Sequence, residues 1–479
     1  MMADFGLDPI IPGINHRIRT VMVEHHVPGA AVGIVKGGKL AWSAGFGFAD
    51  LVSRRPCDEH TLFQIGSITK TFTAAAILQL CDWRLFGLDE PLGRYIGEFR
   101  GVRNRFGTID QITLRRLLTH HSGLVDEPPT GHWKTGTPLM MADIMASIPR
   151  LEIAIEPDSA YKYSNLGYAF LGELVARVSG RPYADYVCDE ILRPLGMESS
   201  CFRIPDTARS IAATGYASHP YEDLPAASVP WDEQAAAPSG EPEPAGGYSA
   251  SGGLRSSVAD LARWISFQFS TGEAAGEGAR VLSERSLREM HRVYSTEPDW
   301  KTGYCLAWSA TRIGDDIYLH HGGAVPGFLS FIAFNKLYGV GVIALTNSTG
   351  HFAHERIGFE TLETIVSWEK ESRADAAAAA EPVPTPEHFR PFLGRYHSPL
   401  GDLQVEFRNG QLMLASPPGL SSFRPLPPPA PLIATAKPHV FIVGAGRPAG
   451  EPISFDLAGD GRVTGLTLGE EGFPYRKVS

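Results

Sequence analysis

The sequence predicts a mixed α/β (α+β) fold for most of its 479 residues, followed by a small all-β domain at the C-terminal end. Residues 29–35 and 40–48 flank a Gly-Gly turn and are rich in apolar side chains, which is typical of two paired strands. Residues 69–80 are apolar on almost every side, which indicates a helix buried in a core. Residues 403–414 alternate at period two around an Asn-Gly pair, a strong hairpin signal.

Apolar spacing and local start signals predict the other elements. A segment at 218–247, rich in Pro, Ala, Glu and Asp, predicts a long irregular loop that serves as a lid or pocket wall. Helices are expected at 14–26, 113–119, 166–177, 258–269 and 352–368, and two adjacent strands at 329–334 and 340–346.

Composition divides the chain into three parts, because 479 residues are too many for a typical single core. We predict one large domain at 1–370. Residues 371–386 contain a run of alanines and several prolines, which is a linker composition. Residues 387–479 are predicted to form an all-β domain, either a barrel or a sandwich.

Overall charge and cysteine content limit the class of protein. A hydrophobic fraction of 43% is that of an ordinary globular protein, and a net charge of −10 argues against nucleic acid or an anionic membrane as partner. No stretch is apolar enough to span a bilayer, and residues 1–19 lack a secretory pattern. The five cysteines are scattered without a Cys-x-x-Cys pair, which suits reduced thiols. We therefore expect a cytoplasmic protein.

Ser67 and Lys70 head the apolar helix, just after a glycine turn, and their spacing places both side chains on one face. An ammonium on an apolar helix is costly unless it is paired or functional. Desolvation also lowers the pKa of a lysine ammonium towards neutrality, and a neutral amine can act as the base for a serine hydroxyl. Ser67 is thus a candidate nucleophile that Lys70 activates. Ser-x-x-Lys is a weak pattern, and it also begins at Ser159 and Ser367, where no apolar helix follows.

Tyr163-Ser164-Asn165 precedes another predicted helix. A phenol can share a proton with an ammonium, and an amide can hold both the ammonium and a substrate carbonyl. The alternative is a capping turn with Ser164 or Asn165 as N-cap, which the motif taken alone favours.

A third element is the stretch at 320–328, which begins His320-His321-Gly322-Gly323. Its glycines let a substrate approach a strand edge, where backbone N–H groups can face a developing oxyanion. A simple hairpin turn would explain the glycines equally well. Vicinal histidines also suggest a metal, but no metal-ligand spacing occurs, so no metal and no cofactor are expected.

The order and spacing of these three elements resemble the class C β-lactamases and penicillin-binding-protein-like serine hydrolases, which use Ser-x-x-Lys, Tyr-x-Asn and Lys/His-x-Gly. Residues 113–124 are similar to the Leu-Leu-x-His-x-Ser-Gly stretch of that family, and residues 251–261 to its Gly-Gly-Leu-x-Ser segment. The resemblance covers residues 10–370. It implies an antiparallel sheet flanked by helices, with a helical subdomain and an active site between the two.

The resemblance also implies roles for individual residues. Ser67 would attack a carbonyl and form an acyl-enzyme, while Lys70 and Tyr163 share general base and acid duty. Asn165 would orient Lys70 and the substrate.

In the third motif, His321 would line the pocket, contacting a substrate carboxylate or assisting Tyr163. Gly323 would let the substrate approach. The backbone N–H groups of Ser67 and Ala324 would form the oxyanion hole.

The family contains several activities, and two features favour some of them. β-Lactamases usually carry lysine at the position of His321, whereas His-x-Gly looks more like carboxylesterases and D-amino-acid peptidases. A β-rich C-terminal extension is similar to the lipocalin-like barrel of the peptidase branch. We expect hydrolysis of small esters, amides or short peptides. The alternatives are β-lactamase or acyltransferase activity, or a penicillin-binding sensor without turnover. Strand edges in the last domain would favour a homo-oligomer.

Overall fold

A computed structural model of the protein describes residues 6–130, 139–216, 246–270, 281–379, 384–399, 401–408, 410–416, 429–470 and 472–478. The chain divides into two compact units, Met1–Arg373 and Ala374–Ser479. Most of the loop predicted at 218–247 lies outside the described residues.

The α-helices of the described residues lie in the first unit, apart from the end of the last one, and a 3₁₀ turn (Glu387–Phe392) lies in the second unit. They are α1 (Ile11–Glu24), α2 (Thr69–Asp82), α3 (Leu114–Leu118), α4 (Met141–Ser147), α5 (Asn165–Ser179), α6 (Tyr183–Val187), α7 (Ser249–Gly252), α8 (Val258–Gln268), α9 (Glu284–Met290) and α10 (Ala353–Ala379).

The strands fall in both units. Those of the first unit are β1 (Gly29–Lys36), β2 (Lys39–Asp50), β3 (Arg55–Pro56), β4 (Phe63–Gln64), β5 (Arg255–Ser256), β6 (Ser295–Thr296), β7 (Thr302–Tyr304), β8 (Ser309–Ile313), β9 (Asp316–Val325), β10 (Phe328–Asn335) and β11 (Val340–Thr346). Those of the second are β12 (Gly394–Ser398), β13 (Gly401–Arg408), β14 (Gln411–Ala415), β15 (Ala430–Ala434), β16 (Val440–Val443), β17 (Pro452–Leu457), β18 (Val463–Leu468) and β19 (Phe473–Lys477).

A nine-stranded antiparallel sheet forms the middle of the first unit, in the order β3-β2-β1-β11-β10-β9-β8-β7-β6. Side chains alternate across it, as strand geometry requires. In β1, Ala31 and Val35 belong to the core that contains α2, whereas Val32 and Ile34 belong to the core on the opposite face, with α1 and α10. The predicted fold of an antiparallel sheet flanked by helices is therefore confirmed.

Helix α2 runs through the larger core. Every residue from Thr69 to Leu80 is buried, as its apolar composition predicted. A short 3₁₀ turn, Gly66–Ile68, precedes the helix and carries Ser67. Backbone hydrogen bonds tie this segment to its neighbours, since the Ile65 N–H donates to the Leu254 carbonyl at 3.0 Å. The nucleophile candidate thus lies at the start of a helix that is buried over almost its whole length.

The second unit is a closed barrel of the eight strands β12–β19, so the barrel alternative of the sequence prediction holds. Strands β13 and β14 form the predicted hairpin, and Gly410 between them has φ +82°, which glycine adopts without strain. Phe392, Tyr396 and Phe455 pack into the interior with aliphatic side chains from the strands. The unit therefore has a hydrophobic core of its own.

Helix α10 extends to Ala379, so residues 371–379, which composition assigned to a linker, are helical. The physical reason is that alanine has the highest helix propensity, and the first proline of the stretch comes only at position 382. Cysteines at all five positions carry free thiols. None of the helices that the structure describes has both the length and the apolar character needed to cross a bilayer.

Candidate active site

Ser67 lies on the 3₁₀ turn ahead of α2, where strand β9 passes directly over it. Gly66 has φ +49°, and a Cβ atom at this position would lie 2.8 Å from the backbone nitrogen of Ala324. A Cβ atom on Gly323 would lie 2.0 Å from the carbonyl oxygen of Ile65. Both glycines are required by this close approach, which brings the backbone of β9 against the Ser67 turn.

Lys70 is completely buried, and its ammonium group has three oxygen neighbours. The Nζ atom lies 3.0 Å from Ser67 Oγ, 2.7 Å from Asn165 Oδ1 and 2.7 Å from the carbonyl oxygen of Ser251. Burial lowers the pKa of Lys70 to about 7, although the nearby Asp126 and Glu127 carboxylates act in the opposite direction.

The three neighbours of Lys70 differ in what they can do. Asn165 Oδ1 and the Ser251 carbonyl can only accept hydrogen bonds, whereas the hydroxyl of Ser67 can also donate one. A neutral amine has two hydrogens and one lone pair. It therefore gives its hydrogens to the two pure acceptors and directs its lone pair at Ser67. This arrangement suits the removal of a proton from the serine hydroxyl.

Tyr163 reaches Ser67 from the other side. Its hydroxyl lies 2.8 Å from Ser67 Oγ. Burial raises the pKa of Tyr163, so the phenol keeps its proton and donates a hydrogen bond to Oγ. The ring stacks on His120 at a centroid distance of 4.3 Å. The backbone N–H of Ser164 donates to Nδ1 of the same histidine at 3.0 Å. His120 thus supports both the ring and the backbone of the Tyr-x-Asn motif.

The capping turn that the motif predicts is present, and the same turn places two neighbouring side chains near Ser67 and Lys70. Ser164 is the N-cap of α5, because its hydroxyl accepts a hydrogen bond from the Gly167 N–H at 2.9 Å. The capping turn then directs the residues on either side of it, Tyr163 and Asn165, at Ser67 and Lys70.

His321 lies on β9 and is partly buried. Its Nδ1 atom lies 2.6 Å from the carbonyl oxygen of Gly322, and a carbonyl can only accept, so Nδ1 carries a proton. Burial and the nearby Lys70 lower the pKa of His321 to about 3. The ring is therefore neutral at physiological pH, with Nε2 as its acceptor nitrogen. A neutral imidazole brings no charge to a substrate carboxylate, which favours the other predicted role, assistance to Tyr163.

The Beta-lactamase family model matches residues 14–363. The chain belongs to the beta-lactamase family. The resemblance inferred from its motifs is confirmed.

Two sequence relatives and one solved structure are similar to this beta-lactamase-family chain. It is 26% identical to Protein flp of Staphylococcus aureus (strain MW2) over 339 residues, which are 69% of this chain and 63% of that protein. It is 28% identical to the Unguisins hydrolase ungD' of Aspergillus campestris (strain IBT 28561) over 359 residues, 71% of this chain and 62% of the relative. The chain thus spans less than two thirds of the length of these relatives.

The structure of the octameric penicillin-binding protein homologue from Pyrococcus abyssi is similar to this beta-lactamase-family chain, with a TM-score of 0.63. The two are 23% identical, and the alignment covers 97% of this chain and 100% of the other. The likeness extends over both units of the chain and shows a shared fold.

Sequence reasoning did not assign every residue of the site. His120 stands in the Leu-Leu-x-His-x-Ser-Gly stretch and Ser251 opens the Gly-Gly-Leu segment, so both motifs were visible without their contacts. Asp126 and Glu127 gave no signal beyond their charge. The Asp126 Oδ1 atom accepts from the backbone N–H of Asn165 at 2.8 Å.

The two other Ser-x-x-Lys patterns have different contacts. Lys370 of the third Ser-x-x-Lys pattern forms an ion pair with Asp316. The Ser159 hydroxyl donates to the carbonyl of Glu156. Within the described ranges, no three His, Cys, Asp or Glu side chains are grouped so that they could hold a metal ion.

Proposed function

We propose that this chain is a serine hydrolase that forms an acyl-enzyme on Ser67. The observation that carries the proposal is the contact of Ser67 Oγ with both Tyr163 Oη, at 2.8 Å, and Lys70 Nζ, at 3.0 Å. One neighbour is a buried amine whose pKa is about 7, and the other is a phenol whose pKa is raised. A hydroxyl between a base and an acid is the arrangement that nucleophilic catalysis requires.

In the proposed acylation step, Lys70 accepts the hydroxyl proton while Ser67 Oγ bonds to the substrate carbonyl carbon. The carbonyl oxygen becomes an oxyanion, for which the backbone N–H groups of Ser67 and Ala324 are the proposed donors. Removal of one such donor typically costs about 2.7–4 kcal/mol of transition-state stabilisation. The proton passes to the leaving group through Tyr163, which lies on the far side of Oγ.

In the proposed deacylation step, a water molecule takes the place of the leaving group. Tyr163 then takes a proton from this water as it attacks the acyl carbon and passes its own phenol proton to the neutral Lys70 amine. When the bond between Oγ and the acyl carbon breaks, Lys70 gives a proton to Ser67 Oγ. Asn165 keeps Lys70 in place throughout. Lys70 and Tyr163 are both present to relay the proton of this water, which supports turnover over the alternative of a penicillin-binding sensor.

For the substrate, we propose small esters, amides or short peptides, as handled by carboxylesterases and D-amino-acid peptidases. His321 supports this, because its neutral ring lacks the positive charge that a lysine would offer to a carboxylate. One relative is named a hydrolase of unguisins. β-Lactamase and acyltransferase activities are the alternatives. A homo-oligomer is also proposed, supported by the octameric homologue from Pyrococcus abyssi.

The test is intact-protein mass spectrometry with p-nitrophenyl acetate, p-nitrophenyl butyrate, D-alanine p-nitroanilide and nitrocefin, with product release followed in parallel. We expect steady turnover that disappears in Ser67→Ala. Ser159→Ala is the matched control, because that serine begins another Ser-x-x-Lys pattern and should leave turnover unchanged. A stable mass adduct without turnover would instead support the sensor, and labelling that survives in Ser67→Ala would refute the proposal.

A further inference from the structure

A chain of hydrogen bonds continues beyond the residues that the proposed reaction uses. The Asn165 amide gives its oxygen to Lys70 and its Nδ2 to Glu127 Oε1, at 2.9 Å. The second carboxylate oxygen, Oε2, accepts a hydrogen bond from the Tyr248 hydroxyl. Glu127 is partly buried.

The carboxylate of Glu127 determines which way the Asn165 amide faces. The two ends of an asparagine amide have nearly the same shape, but only its oxygen can accept a hydrogen bond from Lys70. An ionised carboxylate accepts and never donates, so it pairs with Nδ2 and excludes the reversed amide. Glu127 thereby fixes Oδ1 on Lys70.

Tyr248 connects the same carboxylate to the other acceptor of Lys70. It ends the 3₁₀ turn Gly246–Tyr248, which leads directly into α7. That helix contains Ser251, whose carbonyl oxygen lies 2.7 Å from Lys70 Nζ. The bond between Tyr248 and Glu127 therefore fastens the segment that supplies the second pure acceptor.

We propose that Glu127 and Tyr248 are a positioning pair that holds the Asn165 amide oxygen and the Ser251 carbonyl on Lys70, and so directs the amine's lone pair at Ser67. The inference rests on the proposed function and deepens it, since it assigns two residues that the motifs do not contain. Neither residue contacts Ser67 in this arrangement, so both act through Lys70 and Asn165.

The groups that face Lys70 determine what a pH measurement will report. Two carboxylates, Asp126 and Glu127, stabilise its ammonium form. The rings of Tyr163 and Tyr168 lie 4.8 and 5.5 Å from Nζ. His120 and His321 also face Lys70, and burial lowers the pKa of both rings, so they stay neutral. Removal of the Glu127 charge must therefore lower the pKa of Lys70, whether or not the residue has a positioning role.

Two substitutions at one position separate charge from positioning. Glu127→Gln and Glu127→Leu remove the same charge, but only glutamine keeps an oxygen that can accept from Asn165 Nδ2. We expect kcat/KM at its pH plateau to stay near that of wild type in Glu127→Gln. In Glu127→Leu it should fall by about tenfold to a hundredfold, as expected for a displaced catalytic group. Equal losses in the two variants would overturn the proposal.

A second measurement does not depend on turnover. In protein labelled with ¹³C at the lysine side chains, the Lys70 signal is assigned by its absence in Lys70→Arg and titrated in each variant. Both variants should titrate at lower pH than wild type, with Glu127→Leu lower than Glu127→Gln, because a reversed amide turns its Nδ2 towards the ammonium. Coincident titrations would refute the positioning role. This outcome is distinct from failure of the proposed function, which is the absence of Ser67-dependent turnover in wild type.

Tyr248→Phe removes only the hydroxyl that donates to Glu127. We expect Tyr248→Phe to lower kcat/KM in the wild-type background and to have no further effect in Glu127→Leu, because the two residues act as one unit. If Glu127→Leu does not fold, as judged by circular dichroism, Tyr248→Phe is compared with wild type alone, and an unchanged kcat/KM would refute the pair. Additive losses would show that Tyr248 acts separately from Glu127, contrary to the proposed pair.

Discussion

At the scale of single residues, two opposed effects determine the pKa of Lys70. Complete burial disfavours the charged form, while the carboxylates of Asp126 and Glu127 favour it. The result is a base with a pKa near physiological pH. Without the two carboxylates, the same buried lysine would be a weaker base. Two acceptors then determine the direction of its lone pair.

This balance predicts the pH dependence of activity. Lys70 must be neutral to accept the serine proton, and its pKa of about 7 lies below the ordinary value of 10.5, so the active form is populated above pH 7. We expect kcat/KM to rise tenfold per pH unit below that value and to level off above it. Since burial raises the pKa of Tyr163, no loss of its proton should lower the rate up to pH 9.

A pH profile measured with p-nitrophenyl butyrate between pH 5 and 9 tests this expectation, with the stability of the protein followed at each pH. A profile that is flat across pH 7, in protein that remains folded, would show that another group is the base.

The residue scale also shows where prediction from sequence ends. Ser67, Lys70, Tyr163 and Asn165 were found because they occur in short motifs, and the structure brings all four together. The contacts made by Glu127 could not be foreseen, because nothing in a linear sequence states which side chain will meet the amide of a residue 38 positions away.

At the scale of elements, the two consecutive glycines of β9 have different surroundings. A Cβ atom on Gly323 would lie 2.0 Å from Ile65 O and 2.4 Å from Ser330 Oγ. A Cβ atom on Gly322 would have only ordinary contacts, the nearest being Glu355 Oε1 at 3.5 Å. Only one of the two glycines is therefore required for β9 to pass close to Ser67.

We predict that Gly323→Ala forces β9 away from the Ser67 turn and displaces Ala324, a proposed oxyanion donor. Loss of such a donor lowers kcat by about 10²–10³-fold. The forced contact should also destabilise the fold by about 1–3 kcal/mol. Gly322→Ala is the matched control and should change neither value much. Steady-state kinetics and urea denaturation of both variants measure these effects, and equal activity in the two would contradict the proposed oxyanion hole.

Local sequence patterns predicted which elements form better than they predicted where those elements end. The apolar character of α2 and the hairpin signal of β13 and β14 depend on short-range patterns, and both elements are present. The five alanines at 376–380, together with three prolines, led to the assignment of residues 371–386 to a linker. Helix propensity, together with the packing of the preceding turns of α10, carries the helix to Ala379 instead.

At the scale of the whole molecule, each unit is organised around its own core. The nine-stranded sheet separates the two cores of the first unit, and the barrel encloses that of the second. The pairing order of the sheet could not be predicted from the sequence, since β1 pairs with β11 across more than 300 residues of chain. The order follows from long-range packing, which local patterns do not encode.

The placement of the site within one unit leads to a prediction for a truncated chain. Ser67, Lys70, Tyr163, Asn165 and Ser251 all belong to Met1–Arg373, as do the two cores that hold them. A chain that ends at Ala379 should therefore fold and react with a small fluorophosphonate probe at the rate of the full chain. The rate is measured by intact mass over time, with Ser67→Ala as the unreactive control. If the truncated chain shows the circular dichroism and thermal transition of a folded protein but reacts much more slowly, the barrel unit must contribute to the reactivity of Ser67, and the site would have to be assigned to both units.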